Sequence, residues 1–171
     1  MTRVLLIGNG AREHAIAEAI VRSEQKPRLY SFMKTKNPGI ASVSEVVCIG
    51  RYDDPAGVVA FARKAGIDFA VVGPEEPLGH GVVDALATAG ISAVGPTRSL
   101  ARLETSKSFT RNLLKKYDIP GNPHFRNFRS PEGIEAFFDE LDGIVLKPDG
   151  LTGGKGVMVE GDHFQTRKEA L

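Results

Sequence analysis

The stretch Val4-Leu5-Leu6-Ile7-Gly8-Asn9-Gly10-Ala11-Arg12-Glu13-His14 constrains this chain more than any other. Four apolar residues followed by Gly-x-Gly read as a buried central strand of a parallel sheet, a tight reversal, and the first turn of a helix. Gly8 and Gly10 tolerate positive φ and let a second backbone or a ligand come close. The helix then aims unpaired N–H groups and the positive end of its dipole at the turn, which suits an anionic or polyhydroxy ligand. The dinucleotide fingerprint Gly-x-Gly-x-x-Gly fails, because Glu13 stands where its third glycine belongs. The acidic residue that such sites place about 20 residues downstream is also missing, since the second strand, 28–33, runs into Lys34-Thr35-Lys36. In isolation the turn is any tight β–α connection, and Arg12 and His14 are polar residues decorating a helix start.

The same alternation continues along the chain. A helix over 12–21 puts Ala15, Ile16, Ala19 and Ile20 on one face. After the second strand, residues 34–42 read as loop, with Asn37-Pro38-Gly39 as a turn signal. A strand over 45–49 leads to Asp54, an N-cap, with Pro55 at the first helical position. Val58, Phe61, Ala62 and Ala65 form an inward stripe that Gly66 closes. A strand over 69–72, a loop over 73–81, a helix over 82–89 and a strand over 92–94 complete the series. Such alternation predicts an α/β fold with a doubly wound parallel sheet. With strand order 3-2-1-4-5, the Gly8 turn and the 73–79 loop lie side by side at the carboxyl edge, where such sheets bind ligands. Glu75 would then face the ligand, accepting hydrogen bonds from sugar hydroxyls or an amine. Glu76 reads as a solvated loop charge.

Composition matters here for what it excludes. Of 171 residues, 42% are apolar and 25% charged, and 22 basic residues balance 21 acidic ones, giving net charge +1. No global field draws the chain to nucleic acid or to an anionic membrane. No apolar run approaches the roughly 18 residues of a membrane span. With Met1 leading almost directly into the first strand, no signal peptide is expected and the cytoplasm is the expected location. Cys48 is alone, reads as a small buried hydrophobe, and cannot form an internal disulfide.

Gly95-Pro96-Thr97 marks a boundary. A helical segment follows over 98–117, broken near Thr105-Ser106. A strand near His124 is expected next, then a helix opened by Ser130-Pro131-Glu132 with Ile134, Phe137, Phe138 and Leu141 inward. The strand 144–147 leads into Lys147-Pro148-Asp149-Gly150-Leu151-Thr152-Gly153-Gly154-Lys155-Gly156-Val157. A Walker A loop needs Ser or Thr after its lysine and then a helix; here Gly156 and a strand follow. Strand, glycine loop and strand suit a flap over phosphates. Gly153, Gly154 and Gly156 keep the backbone bare, and Lys147 and Lys155 supply charge. Lys107, after a Ser106 cap, is a third candidate cation. Asp149, Glu160, Asp162 and Glu169 are scattered and read as solvated rather than as a metal site.

Taken in order, the segments 7–14, 72–78, 95–97, 106–107 and 147–157 resemble glycinamide ribonucleotide synthetases, the phosphoribosylamine–glycine ligases of the ATP-grasp superfamily. Asn37-Pro38-Gly39 and Pro148 resemble the archaeal branch. The resemblance implies a Rossmann-like substrate domain over 1–95, a helical connector over 96–120, and the start of an ATP-grasp lid over 121–171. It implies a ligase of purine biosynthesis: ATP phosphorylates glycine, and phosphoribosylamine displaces phosphate from the glycyl phosphate to form an amide. Gly8, Asn9, Gly10, Arg12, Glu13 and Glu75 would bind phosphoribosylamine; Lys107, Lys147, Gly153, Gly154, Lys155 and Gly156 would bind ATP. Ligands for Mg²⁺ would lie beyond residue 171, no catalytic residue is assigned within the chain, and these residues alone are expected to be inactive. The incomplete lid is expected to carry an unpaired edge open to self-association. A non-catalytic module binding a sugar phosphate or nucleotide is the alternative.

Overall fold

The computed structural model describes residues 1–153 and 155–171. The chain divides into two compact units, Met1–Arg102 and Leu103–Leu171. In the first unit five strands alternate with helices: β1 Arg3–Ile7, α1 Ala11–Val21, β2 Arg28–Met33, α2 Pro38–Val43, β3 Val46–Ile49, α3 Pro55–Ala65, β4 Phe69–Val72, α4 Glu75–Gly79, α5 Val82–Thr88 and β5 Ser92–Val94. Helix α6, Arg98–Thr105, runs across the division between the units.

All pairings in this sheet are parallel, as the alternation predicts, and the strand order is β3-β2-β1-β4-β5, the order that sets the Gly8 turn beside the 73–79 loop. Strand β1 lies at the centre, and Val4, Leu5, Leu6 and Ile7 are 0–2% exposed. Side chains alternate across the sheet, so Leu5 and Ile7 join a core with Val58 and Ala62 of α3 and Val82 and Leu86 of α5. Leu6 faces the other way, with Ala17 of α1 and Ile40 of α2. Helices therefore cover both faces, which is why the central strand is a continuous apolar run rather than an alternating one.

Several local expectations change. Residues 38–43 form α2 rather than loop, because the Asn37 side-chain oxygen accepts the N–H groups of Gly39 and Ile40 and Pro38 opens the helix. The loop after β4 contains α4, with Glu75 and Glu76 in its first turn. The inward face of α1 is Glu13, Ile16, Ala17 and Ile20; Ala15 and Ala19 are exposed.

The second unit contains α7 Lys107–Lys116, α8 Ile134–Phe138, β6 Val145–Leu146 and β7 Met158–Val159. The Ser106 hydroxyl accepts the Phe109 N–H and opens α7, at the predicted break. No strand forms at His124, whose ring instead meets Phe137 edge-on at 5.0 Å. Helix α8 starts at Ile134 rather than at Pro131, because Gly133 takes positive φ (78°) immediately before it. A small core of Phe138, Ile144 and Phe164 holds this unit, and the Glu160 carboxylate accepts the Ile144 N–H. Strands β6 and β7 pair antiparallel, Val145 with Val159 and Leu146 with Met158.

Candidate functional site

The first site is built at the carboxyl edge of β1 and β4. The Gly73 N–H donates to the Ile7 carbonyl, which brings the two strand ends together. Gly8 has φ +142°, open to glycine, and a Cβ there would lie 2.2 Å from Glu13 Cγ and 2.9 Å from Pro74 Cδ. A Cβ on Gly73 would lie 2.4 Å from the same Cγ. The glycines thus make room for Glu13 itself, where bareness in the sequence suggests room for a ligand.

Glu13 is 3% exposed, and its carboxylate accepts the Gly10 N–H at 2.7 Å and Arg12 Nε at 3.0 Å. Gly10 is the residue preceding α1, so this is the carboxylate half of a capping box. Arg12 extends from Glu13 to Glu75, donating from Nη2 to Oε2 at 3.3 Å. Its guanidinium is pushed above its ordinary pKa, first by the bond to Glu13; burial opposes this and Glu75 adds to it. The structure therefore brings together Gly8, Gly10, Arg12, Glu13 and Glu75. Glu76 turns to Lys34, 2.8 Å away.

Asn9 lies in the same bend and gathers two further loops. Its carbonyl accepts Asn37 Nδ2 at 3.0 Å, and its side-chain Oδ1 accepts the Tyr52 hydroxyl at 2.5 Å. Tyr52 is 3% exposed, and burial pushes its phenol up to about 12, with the Lys34 backbone working the other way. In the sequence Asn37 stands out only as part of a turn signal, and Tyr52 not at all. Asn37 carried a signal, the same Asx-Pro pair as Asp54-Pro55; Tyr52, between β3 and α3, carried none.

The second site lies in the second unit, a cleft of about 330 Å³. Lys107, Arg111, Arg126 and Lys147 bring four cations to its wall, with Phe125, Phe137 and Asp149 among the other lining residues. Arg126 also stacks over Phe137 at 4.5 Å. Lys107 donates to the Gly150 carbonyl at 2.7 Å, so a lysine of α7 holds the entrance of the glycine loop. Asp149, expected to be solvated, accepts the Ser108 N–H at 3.2 Å, the Gly150 N–H at 3.0 Å and the Ser106 hydroxyl at 3.2 Å. Burial works to raise the Asp149 carboxyl, and the Ser108 and Gly150 N–H groups with the serine side chains outweigh it, leaving its pKa lowered. Gly153 and Gly156 take positive φ, 59° and 82°, in the hairpin between β6 and β7. Neither they nor Lys155 line the cleft, and Gly154 lies outside the described residues. Among the described residues no group of three or more His, Cys, Asp or Glu is placed to hold a metal. No helix among them is long and apolar enough to cross a membrane.

A parallel sheet with a polar strand-end bend, followed by a unit with a glycine hairpin and a cationic cleft, is the part of the chain that family models assign to a synthetase N domain and an ATP-grasp domain. The family model for the phosphoribosylglycinamide synthetase N domain matches residues 2–104, and that for the same synthetase's ATP-grasp (A) domain matches residues 105–171. The chain belongs to the phosphoribosylglycinamide synthetase family. It is 51% identical over 173 residues to a phosphoribosylamine–glycine ligase of Methanocaldococcus jannaschii, covering 98% of this chain and 39% of that protein. A phosphoribosylamine–glycine ligase of Methanococcoides burtonii is 49% identical over 161 residues, 94% of this chain and 37% of its own length. The chain thus spans about two fifths of the length of these curated relatives. The crystal structure of phosphoribosylglycinamide synthetase from Anaerococcus prevotii shares the fold, with TM-score 0.63 and 15% identity over 99% of this chain and 40% of that one.

Proposed function

We propose that these residues form the sugar-phosphate pocket and the nucleotide lid of an ATP-dependent ligase joining glycine to 5-phosphoribosylamine. The observation that carries the reading is the convergence of Lys107, Lys147 and two arginines on one cleft beside the glycine hairpin. Glu140 offsets Arg126 and Asp149 adds one negative charge to the wall, which leaves an excess of positive charge that a polyphosphate would balance. In the first unit, Asn9 and Arg12 at the α1 amino-terminus and Glu75 in the first turn of α4 present donors and a carboxylate, a mixture suited to a phosphorylated sugar bearing hydroxyls and an amine. Glu13 acts there by fixing Gly10 and Arg12, since both its oxygens are already engaged.

The chemistry follows from the weakness of carboxylates as electrophiles. Transfer of the γ-phosphoryl group of ATP to glycine gives glycyl phosphate and ADP. The phosphoribosylamine nitrogen then attacks the acyl carbon, phosphate leaves, and the amide forms with loss of a proton. Lys107 and Lys147 neutralise charge on the phosphoryl oxygens, and the rest is positioning. Mg²⁺ accompanies ATP in this chemistry, and the described residues offer it no ligand cluster.

Thermal unfolding with ribose 5-phosphate and, separately, with ATP tests the reading. Each should stabilise the chain, by about 2.7 kcal/mol at a hundredfold excess over its dissociation constant. Stabilisation by neither, or by NADH instead, would overturn it.

A further inference from the structure

We propose that Tyr52 is a positioning residue that sets the polarity of the Asn9 side-chain amide, so that the bend after β1 offers a ligand hydrogen-bond donors rather than an acceptor. The inference rests on the sugar-phosphate reading of the first site and assigns a role to a residue outside the glycine bend. An asparagine amide is nearly symmetric in shape but opposite in hydrogen-bonding character at its two ends. Whatever holds one end decides what the other end presents.

The Tyr52 hydroxyl lies 2.5 Å from Asn9 Oδ1, and the residue is 3% exposed. A buried hydroxyl proton needs an acceptor, and Oδ1 is the one it has among the described residues. Were the amide turned over, the hydroxyl would accept from Nδ2 and its own proton would be stranded. Tyr52 therefore selects one orientation. The main chain of Asn9 is fixed independently, since its carbonyl accepts Asn37 Nδ2.

The consequence lies at Nδ2. It has no partner among the described residues, where no buried side-chain nitrogen or oxygen goes unbonded, so this amide nitrogen reaches solvent. Asn9 directly precedes Gly10, the residue that caps α1, so its side-chain donors belong to the same bend as the helix start. Donors from a side chain and a helix start, in one bend, favour ligand oxygens carrying negative charge over a ligand amine.

Binding of ribose 5-phosphate by titration calorimetry tests this, using the 171-residue chain, Tyr52→Phe, Asn9→Ala and the double variant. Tyr52→Phe is expected to bind about tenfold more weakly, the scale of one misaligned bond to a charged group. In the Asn9→Ala background the same change should cost nothing further, which a general structural role of Tyr52 would not produce. Binding by Tyr52→Phe equal to the parent, or the same tenfold loss without Asn9, overturns the inference and leaves the sugar-phosphate reading intact. A parent chain that does not bind refutes that reading and the inference with it. Should Tyr52→Phe fail to fold, the side-chain amide resonances of Asn9 in the parent decide: they should shift on saturation with ribose 5-phosphate, and unmoved resonances refute the assignment.

Discussion

The glycine cage around Glu13 makes a sharp prediction for the pair Gly73 and Glu13. A Cβ at Gly73 would meet Glu13 Cγ at 2.4 Å, Oε1 at 2.7 Å and Cδ at 2.9 Å. Those are its three nearest contacts, and Gly73 does not have positive φ, so alanine there is opposed by Glu13 rather than by the backbone. Displacing a buried side chain in this way costs about 1–3 kcal/mol. Glu13→Ala alone leaves the Gly10 N–H without its charged acceptor and should cost about 1.5–3 kcal/mol. In the double variant the obstruction is gone, and Gly73→Ala should be neutral or stabilising by about 0.4–1 kcal/mol through the unfolded chain. The cycle should therefore show a coupling of about 1–4 kcal/mol, with the double variant more stable than the two single effects sum to. Urea unfolding followed by far-UV circular dichroism on the four proteins measures it. Additivity within about 0.5 kcal/mol, the behaviour of independent sites, would refute the view that Gly73 is bare for the sake of Glu13.

Two further outcomes follow from the same contacts. Tyr52, pushed up to about 12 by burial and about 10 when unfolded, holds its proton more tightly in the folded chain. Its contribution is complete below about pH 10 and is lost as pH rises toward about 12, at most about 2.7 kcal/mol; the urea midpoint should fall over that window less in Tyr52→Phe, and equal slopes would count against the burial. Asp149→Ala removes the acceptor shared by the Ser108 and Gly150 N–H groups; it should destabilise the second unit by about 1–2 kcal/mol and speed amide exchange at both positions, and unchanged protection would show that the contact holds nothing.

Much of the architecture is legible in the sequence. A continuous apolar run at 4–7, an Asp-Pro helix start at 54–55, a Ser106 cap and strand-like segments at regular intervals are local signals, each decided by backbone sterics or hydrogen bonding within a few residues. They led to the parallel sheet, the break before Lys107 and the hairpin around the second glycine loop. Tertiary structure decided what those segments do to one another. Gly8 and Gly73, far apart in the chain, are both bare because one glutamate fills the space between them. Asp149 reads as an isolated charge until α7 delivers the Ser106 hydroxyl and the Ser108 N–H to it. Tyr52 gave no sign of touching Asn9. Such contacts depend on how helices rotate and loops converge at the sheet edge, and no periodicity or cap within a segment records a partner that folding brings from another strand.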